Sequence, residues 1–171
     1  MIVVDTNVVA YCWTSGERSA AAQRLRALDA DWRVPLIWRS EFRSVLCGWV
    51  RRGELPLDGA QQIRAAVEDA FAGREHTVAG AAVLDVAAQT RLSAYDAEFV
   101  VLAEALAVPL VTEDREILAR YAGATSMKDF LAAAQKGPPS VHSPRVAYRT
   151  GMYSRLKPAP QIRGARRAAH G

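Results

Sequence analysis

Short apolar runs with no polar alternation punctuate the chain, and longer amphipathic stretches separate them. Ile2, Val3 and Val4 form one such run, which gives way at once to Asp5, Thr6 and Asn7: the pattern of a strand covered on both faces and closed by a turn. Residues 17–30, rich in Ala, Arg and Leu, predict a helix, and residues 33–36 a second short strand. Between residues 37 and 51 the side chains of Trp38, Phe42, Val45, Leu46, Trp49 and Val50 fall on one helical stripe. Further helices are predicted at 57–71, 81–90, 96–107, 114–119 and 127–134, with a minor strand at 76–78, a strong one at 108–111 and an edge strand at 124–126. Short strands alternating with longer helices predict an α/β fold, a three-layer α/β/α sandwich around a mostly parallel central sheet.

Composition limits what such a fold can be for. At 171 residues and 50% hydrophobic content the chain can bury one ordinary core. It has no run of 18 apolar residues and no basic start followed by a long hydrophobic stretch, so no membrane partner and no secretion are expected, and the protein is read as cytoplasmic. Cys12 and Cys47 suggest neither a disulfide framework nor a zinc site and read as reduced, buried thiols.

The formal charge of +4 hides an asymmetry: residues 1–136 carry 15 Lys+Arg against 18 Asp+Glu, whereas residues 137–171 carry seven basic residues and no acidic one. Gly137, Pro138, Pro139, Pro144, Pro158 and Pro160 interrupt that second stretch, which leaves it little core of its own. The chain therefore divides into an expected domain at residues 1–134 and a basic, Pro-containing C-terminal extension at 135–171. Arg145, Arg149, Arg155, Lys157, Arg163, Arg166 and Arg167 suit contact with phosphates or with an acidic protein face, and equally an extension with no specific role.

Four carboxylates stand where predicted strands end or predicted helices begin: Asp5, Glu41, Asp96 and Asp114. Gathered at one sheet edge they would repel each other unless a cation lay between them, which makes a divalent-metal site the leading expectation. Glu41 discriminates most, because it stands three residues after Trp38 and four before Val45, on or beside the apolar face. A carboxylate there needs a positive partner, hydrogen-bond donors or a metal, and a salt bridge to Arg39 or Arg43 is the plainer reading. Asp5 ends a buried-strand run, where ligands of open α/β sheets gather; Thr6 and Asn7 are candidates to orient it, and an ordinary turn residue is the plainer reading. Aspartyl-phosphate chemistry is less suited, since Asn7 occupies the place of its customary second Asp. Asp96 and Asp114 read equally well as helix N-caps, a role compatible with ligation because helix starts favour anions.

Arg39 and Arg115 flank two of these carboxylates and are candidate contacts to a substrate phosphate, with solvated arginines or local ion pairs as the alternative. Glu98, Glu113 and Glu116 either enlarge the acidic site or are exposed helix-start charges. His76, His142 and His170 lack ligand spacing, and Trp13, Trp32, Trp38 and Trp49 read as core or interface residues rather than a stacking array.

In combination, Met1-Ile-Val-Val-Asp-Thr-Asn-Val8, Pro35-Leu-Ile-Trp-Arg-Ser-Glu41, Tyr95-Asp-Ala-Glu-Phe-Val-Val-Leu-Ala103 and Pro109-Leu-Val-Thr-Glu-Asp114 resemble the successive motifs of the PIN-domain nucleases. Their order and context most resemble the VapC toxins of bacterial toxin–antitoxin pairs, over residues 1 to about 134. The resemblance implies acidic metal-site roles for Asp5, Glu41, Asp96 and Asp114, supporting polar roles for Asn7 and Thr112, and Mg²⁺ or Mn²⁺ as cofactor. Asp5 and Asp96 are then the central ligands, Glu41 positions the metal or its water, and Asp114 completes the cluster. It further implies an RNA substrate hydrolysed to 5′-phosphate and 3′-hydroxyl ends, a homodimer, and a cognate antitoxin protein. Residues 51–73 are compatible with the helical insertion or clip through which such toxins make dimer and antitoxin contacts. A DNA structure-specific nuclease and a noncatalytic PIN-like interaction domain are the alternative functions.

Overall fold

The computed structural model describes residues 1–135, and the expectations for the basic extension beyond them lie outside the described residues. The order of elements is β1 (Ile2–Val4), α1 (Thr6–Trp13), α2 (Ser19–Leu28), β2 (Trp32–Pro35), α3 (Trp38–Arg51), α4 (Leu57–Ala70), β3 (Glu75–His76), α5 (Gly80–Thr90), α6 (Ala94–Leu106), β4 (Leu110–Val111), α7 (Arg115–Arg120), β5 (Ala124–Thr125) and α8 (Met127–Gln135). The strands form one five-stranded sheet in the order β3-β2-β1-β4-β5, and every pairing is parallel. Parallel neighbours need crossover connections, which the helices supply.

β1 lies at the centre, with Ile2 paired to Trp32 of β2 on one side and Val3 to Leu110 of β4 on the other. Ile2, Val3, Val4, Leu110 and Val111 are at most 1% exposed, and each such side chain contributes roughly 1.5–3 kcal/mol by leaving water. On the sheet, α6 packs against β1, β2 and β4, with α5 behind it; α1, α2, α3, α4 and α8 form a second connected group of helices. The result is the α/β sandwich expected from the strand and helix alternation, with a wholly parallel sheet. Among the described residues no helix is long and apolar enough to cross a membrane.

Cys12 is half-buried and Cys47 exposed, so neither is the buried thiol expected. Two local features of the backbone also differ from the sequence expectation. Helix α1 follows β1 after the single residue Asp5, in a segment for which no helix is predicted. Val8, Val9 and Ala10 are buried in it and Tyr11, Cys12 and Trp13 pack on the core, so it is apolar on most sides and lacks the polar stripe by which surface helices are recognised. Eight residues are too few for a helix to persist alone, so tertiary packing makes this one. The second difference is the start of α6, where Ser93 rather than Asp96 is the N-cap. The Ser93 hydroxyl accepts the Asp96 N–H at 3.1 Å and donates to Asp96 Oδ2 at 2.7 Å, a serine cap paired through its hydroxyl with the third helical residue. Ser126 and Asp129 repeat the arrangement at α8.

From β1 the chain proceeds outward to β2 and β3 on one side, and later to β4 and β5 on the other. The carboxyl ends of β1 and β4 therefore flank the point where strand order reverses, the usual place for a ligand crevice in an open parallel sheet.

Candidate active site

The two central strand ends are stitched together by the residues that follow them. The Asp5 N–H donates to the Val111 carbonyl at 3.0 Å, and the Thr112 hydroxyl donates to Asp5 Oδ2 at 2.7 Å. The same hydroxyl oxygen accepts the Asp114 N–H at 2.9 Å. Thr112 is 0% exposed and Asp5 6%, so this bridge is built into the core. Asp5 occupies the N-cap position of α1, yet its side chain makes no cap hydrogen bond. Asp114 does cap its helix: Oδ1 accepts the N–H groups of Glu116 at 2.7 Å and Ile117 at 3.1 Å.

Glu41, in the first turn of α3, accepts a hydrogen bond from the Thr6 hydroxyl at 2.6 Å. Thr6 thus orients Glu41 rather than Asp5, and the work expected of Thr6 falls to Thr112. The salt bridge considered for Glu41 does not form, since Arg39 turns to Glu75 and Arg43 donates to Ser40. Asn7 lies half-buried in the first turn of α1, and among the described residues its side chain has no hydrogen-bond partner.

Electrostatics ties these carboxylates into one cluster. Burial pushes the Glu41 carboxyl up to about 7; the Thr6 hydroxyl opposes the rise, and Asp5, Asp96 and Glu98 add to it. Asp5 is likewise raised by burial, opposed by the Thr112 hydroxyl and the Thr6 N–H, with Asp114 and Asp96 adding their repulsion. Among the described residues no Lys or Arg forms an ion pair with any of the four. Glu98 belongs to the same negative field, whereas Glu113 and Glu116 are engaged elsewhere. Glu113 accepts the Met127 N–H at 3.0 Å and faces Arg18 at 3.8 Å, and Glu116 faces Arg120 at 3.8 Å.

The two candidate phosphate contacts separate. Arg115 is exposed at the first position of α7. Arg39 is committed to the body: its guanidinium meets Glu75 through two hydrogen bonds, 2.5 Å to Oε1 and 2.8 Å to Oε2, and approaches Glu68 at 3.5 Å. That pairing is the local ion pair given as the alternative to a substrate contact at Arg39. Glu75, which sequence reasoning passed over, is 7% exposed and also accepts the Trp38 indole N–H at 2.7 Å. Its signal was a lone carboxylate beside the predicted strand at 76–78, where a buried charge has to find a partner.

Carboxylate oxygens are the donor type a hard divalent cation prefers. Glu41, Asp96 and Asp114 each commit one oxygen to a hydroxyl or a backbone N–H and leave the other without a hydrogen bond among the described residues. Among the described residues no group of three or more His, Cys, Asp or Glu side chains is placed to hold a metal ion. An ion such as Mg²⁺, which keeps several waters and takes one or two carboxylates directly, does not require such a group.

Comparison with known proteins places this geometry. The crystal structure of PAE2754 from Pyrobaculum aerophilum superposes with a TM-score of 0.64 at 23% identity, over 79% of this chain and 96% of that one. A toxin–antitoxin complex from Klebsiella pneumoniae gives a TM-score of 0.53 at 19% identity, over 74% of this chain and 98% of that chain. At these identities the two structures show a shared fold. No curated protein matches the chain. A family model for the PIN domain matches residues 2–124, a span that includes all four clustered carboxylates, and the chain therefore belongs to the PIN-domain family of nucleases.

Proposed function

We propose that the protein is a Mg²⁺- or Mn²⁺-dependent endoribonuclease that acts as the toxin of a toxin–antitoxin pair. The observation that supports this reading is that Asp5, Glu41, Asp96 and Asp114 share one negative field, with no Lys or Arg among the described residues paired to any of them. A bound divalent ion supplies an activated water and stabilises charge on the scissile phosphate and leaving oxygen. Asp5 and Asp96 are assigned to hold that ion, with Asp114 completing the acidic cluster; Thr112 locks the Asp5 rotamer, and Ser93 that of Asp96. Glu41 Oε2 is held by Thr6, so Oε1 is the oxygen left to position water, and a carboxyl near neutrality can take up and release a proton at working pH. Asn7 is a supporting polar group beside the cluster, and Arg115, exposed and uncommitted, is the remaining candidate for a substrate phosphate.

The toxin assignment rests on the fold shared with the Klebsiella pneumoniae toxin–antitoxin structure and on a surface suited to a partner. A cavity of about 610 Å³ is lined by Tyr11, Trp13, Trp49, Leu55 and Ile63 beside Arg18, large enough and aromatic enough to seat a peptide segment of a cognate antitoxin. The same reading makes the protein a cytoplasmic homodimer. The deciding experiment incubates purified, antitoxin-free protein with cellular RNA and Mn²⁺, beside EDTA, an Asp5→Asn control and branched DNA. Discrete metal-dependent RNA products support the assignment; cleavage of DNA alone, or no cleavage by folded protein, overturns it.

Two further results are expected. Thr112→Val keeps the shape but removes the donor to Asp5 and the acceptor for the Asp114 N–H, so activity should fall roughly 10–100-fold and stability by about 1–3 kcal/mol. A kinetic assay and urea denaturation check both, and unchanged kinetics would show that the bridge is not needed for positioning. The second concerns pH. Because the folded-state pKa of Glu41 is raised from 4.5 to about 7, the metal-free fold is most stable below the unfolded value and loses stability as pH rises through the folded one. After allowance for solvent screening the loss is roughly 1–2 kcal/mol between pH 5 and 8. Mn²⁺ should raise Tm more at pH 8 than at pH 6, because ligation requires the deprotonated form. Equal Mn²⁺ shifts at both pH values would remove Glu41 from the ion's surroundings.

A further inference from the structure

Beside the carboxylate cluster lies a second cavity, of about 250 Å³, whose walls include Leu36, Thr77, Val78, Val83, Leu84 and Glu98. It is smaller than the roughly 300–1,000 Å³ of pockets that enclose drug-sized ligands, so it suits one planar ring system rather than a peptide. Its position is set by the elements that build the active site: Leu36 immediately precedes the turn that starts α3 and places Glu41, and Glu98 stands in α6 two residues beyond Asp96. Glu98 is near enough to add to the negative field at Glu41.

The lining chooses among the parts of a nucleic acid. Among the described residues it contains no Lys or Arg, and its one charged group is an anion, which disfavours a phosphate. Apart from Thr77 and Glu98 its lining is apolar, and Leu84 is 69% exposed, an apolar surface that a base face can cover. The Glu98 carboxylate makes no hydrogen bond or ion pair among the described residues, so both of its oxygens are available as acceptors. Single-stranded RNA is read through such contacts, with bases splayed out and their Watson–Crick edges hydrogen-bonded. A carboxylate is complementary to an edge with two adjacent N–H donors, which guanine presents through N1–H and its 2-amino group; uracil presents one.

We infer that this cavity is a base subsite for a guanine neighbouring the scissile phosphate, with Glu98 as the residue that reads its Watson–Crick edge and Leu36, Val83 and Leu84 as its apolar walls. The inference rests on the endoribonuclease reading above and adds a specificity element to it. Glu98 is separate in role from the four proposed ligands: it selects where the RNA is cut and leaves the chemistry to them. Replacing it with glutamine preserves size but turns one acceptor into a donor, which mismatches guanine and matches the donor and acceptor pair of adenine.

Two readouts test the subsite. The first sequences the ends left on cellular RNA by the wild type, Glu98→Gln and Leu84→Ala, each normalised to its own total cleavage. Guanine should be enriched at one position flanking the wild-type cut, displaced towards adenine in Glu98→Gln and diluted in Leu84→Ala. The second measures binding by fluorescence anisotropy on the Asp5→Asn background, which keeps RNA intact, using short oligonucleotides that differ only in guanine or uracil at that position. The guanine oligonucleotide should bind at least about fivefold more tightly, and Glu98→Gln should erase the difference. A wild type that cleaves RNA with the same flanking-base profile as Glu98→Gln overturns the subsite and leaves the nuclease reading standing. A folded wild type that cleaves no RNA overturns both.

Discussion

Asp5→Asn is expected to abolish cleavage while making the metal-free protein more stable. Asparagine keeps a side-chain oxygen that can accept the Thr112 hydroxyl and fits the same 6%-exposed site between β1 and β4, so the fold should survive the change. It cannot carry the charge by which Asp5 would hold a divalent ion, and a loss of about 100-fold or more, some 2.7 kcal/mol of transition-state stabilisation, is the expected scale. The gain in stability has the opposite origin. Burial raises the Asp5 pKa in the folded state, so ionising this group as pH rises through that value costs the fold stability that it has under acidic conditions. Asparagine has no such step, and repulsion from Asp96 and Asp114 also disappears. In EDTA the Tm advantage of the variant should therefore grow with pH and shrink when Mn²⁺ is added to both proteins. A variant that loses activity and also melts earlier in EDTA at pH 8 would place Asp5 among structural residues, with inactivity as a by-product of misfolding.

The same opposition between local stability and function explains which parts of the site can be read in the sequence. Asp5 and Thr112 each follow a short β-rich apolar run, so their places at strand ends were legible, but they are 107 residues apart and nothing local announces that one donates to the other. Glu41 was legible as a carboxylate on an apolar helix face because periodicity alone puts it there. Its partner was not, since Thr6 lies on α1, a helix whose apolar and β-branched residues erase the polar stripe that would reveal it. Ser93-Ala-Tyr-Asp96 carries a serine-cap pattern, which assigns the cap to Ser93 and frees Asp96 for other work. Arg39 looked like a free cation beside an active-site carboxylate because its true partner is 36 residues away, on a strand of two residues.

That partner carries the largest stability prediction. Glu75→Ala is expected to cost about 3–5 kcal/mol, because it strips the acceptor from the buried Trp38 indole N–H and leaves the Arg39 guanidinium without its bidentate carboxylate. Glu68, at 3.5 Å from Arg39 and already engaged by Arg64 at 2.6 Å, can compensate only in part. Glu75→Gln, which keeps one acceptor, should cost less. Urea denaturation reads both, and a Glu75→Ala value within about 1 kcal/mol of the wild type would deny the network its structural weight. The consequence reaches the active site, since Trp38 and Arg39 open α3 and Glu41 stands in the same first turn. Replacing the pair together, as Arg39→Met with Glu75→Gln, removes both charges at similar volume, keeps an acceptor for the Trp38 indole N–H and should recover most of the lost stability. If that double variant folds and cleaves RNA, Arg39 serves to anchor the helix that carries Glu41. If it folds and is inactive while its melting curve matches the wild type, the guanidinium has a role at the substrate that its pairing with Glu75 conceals.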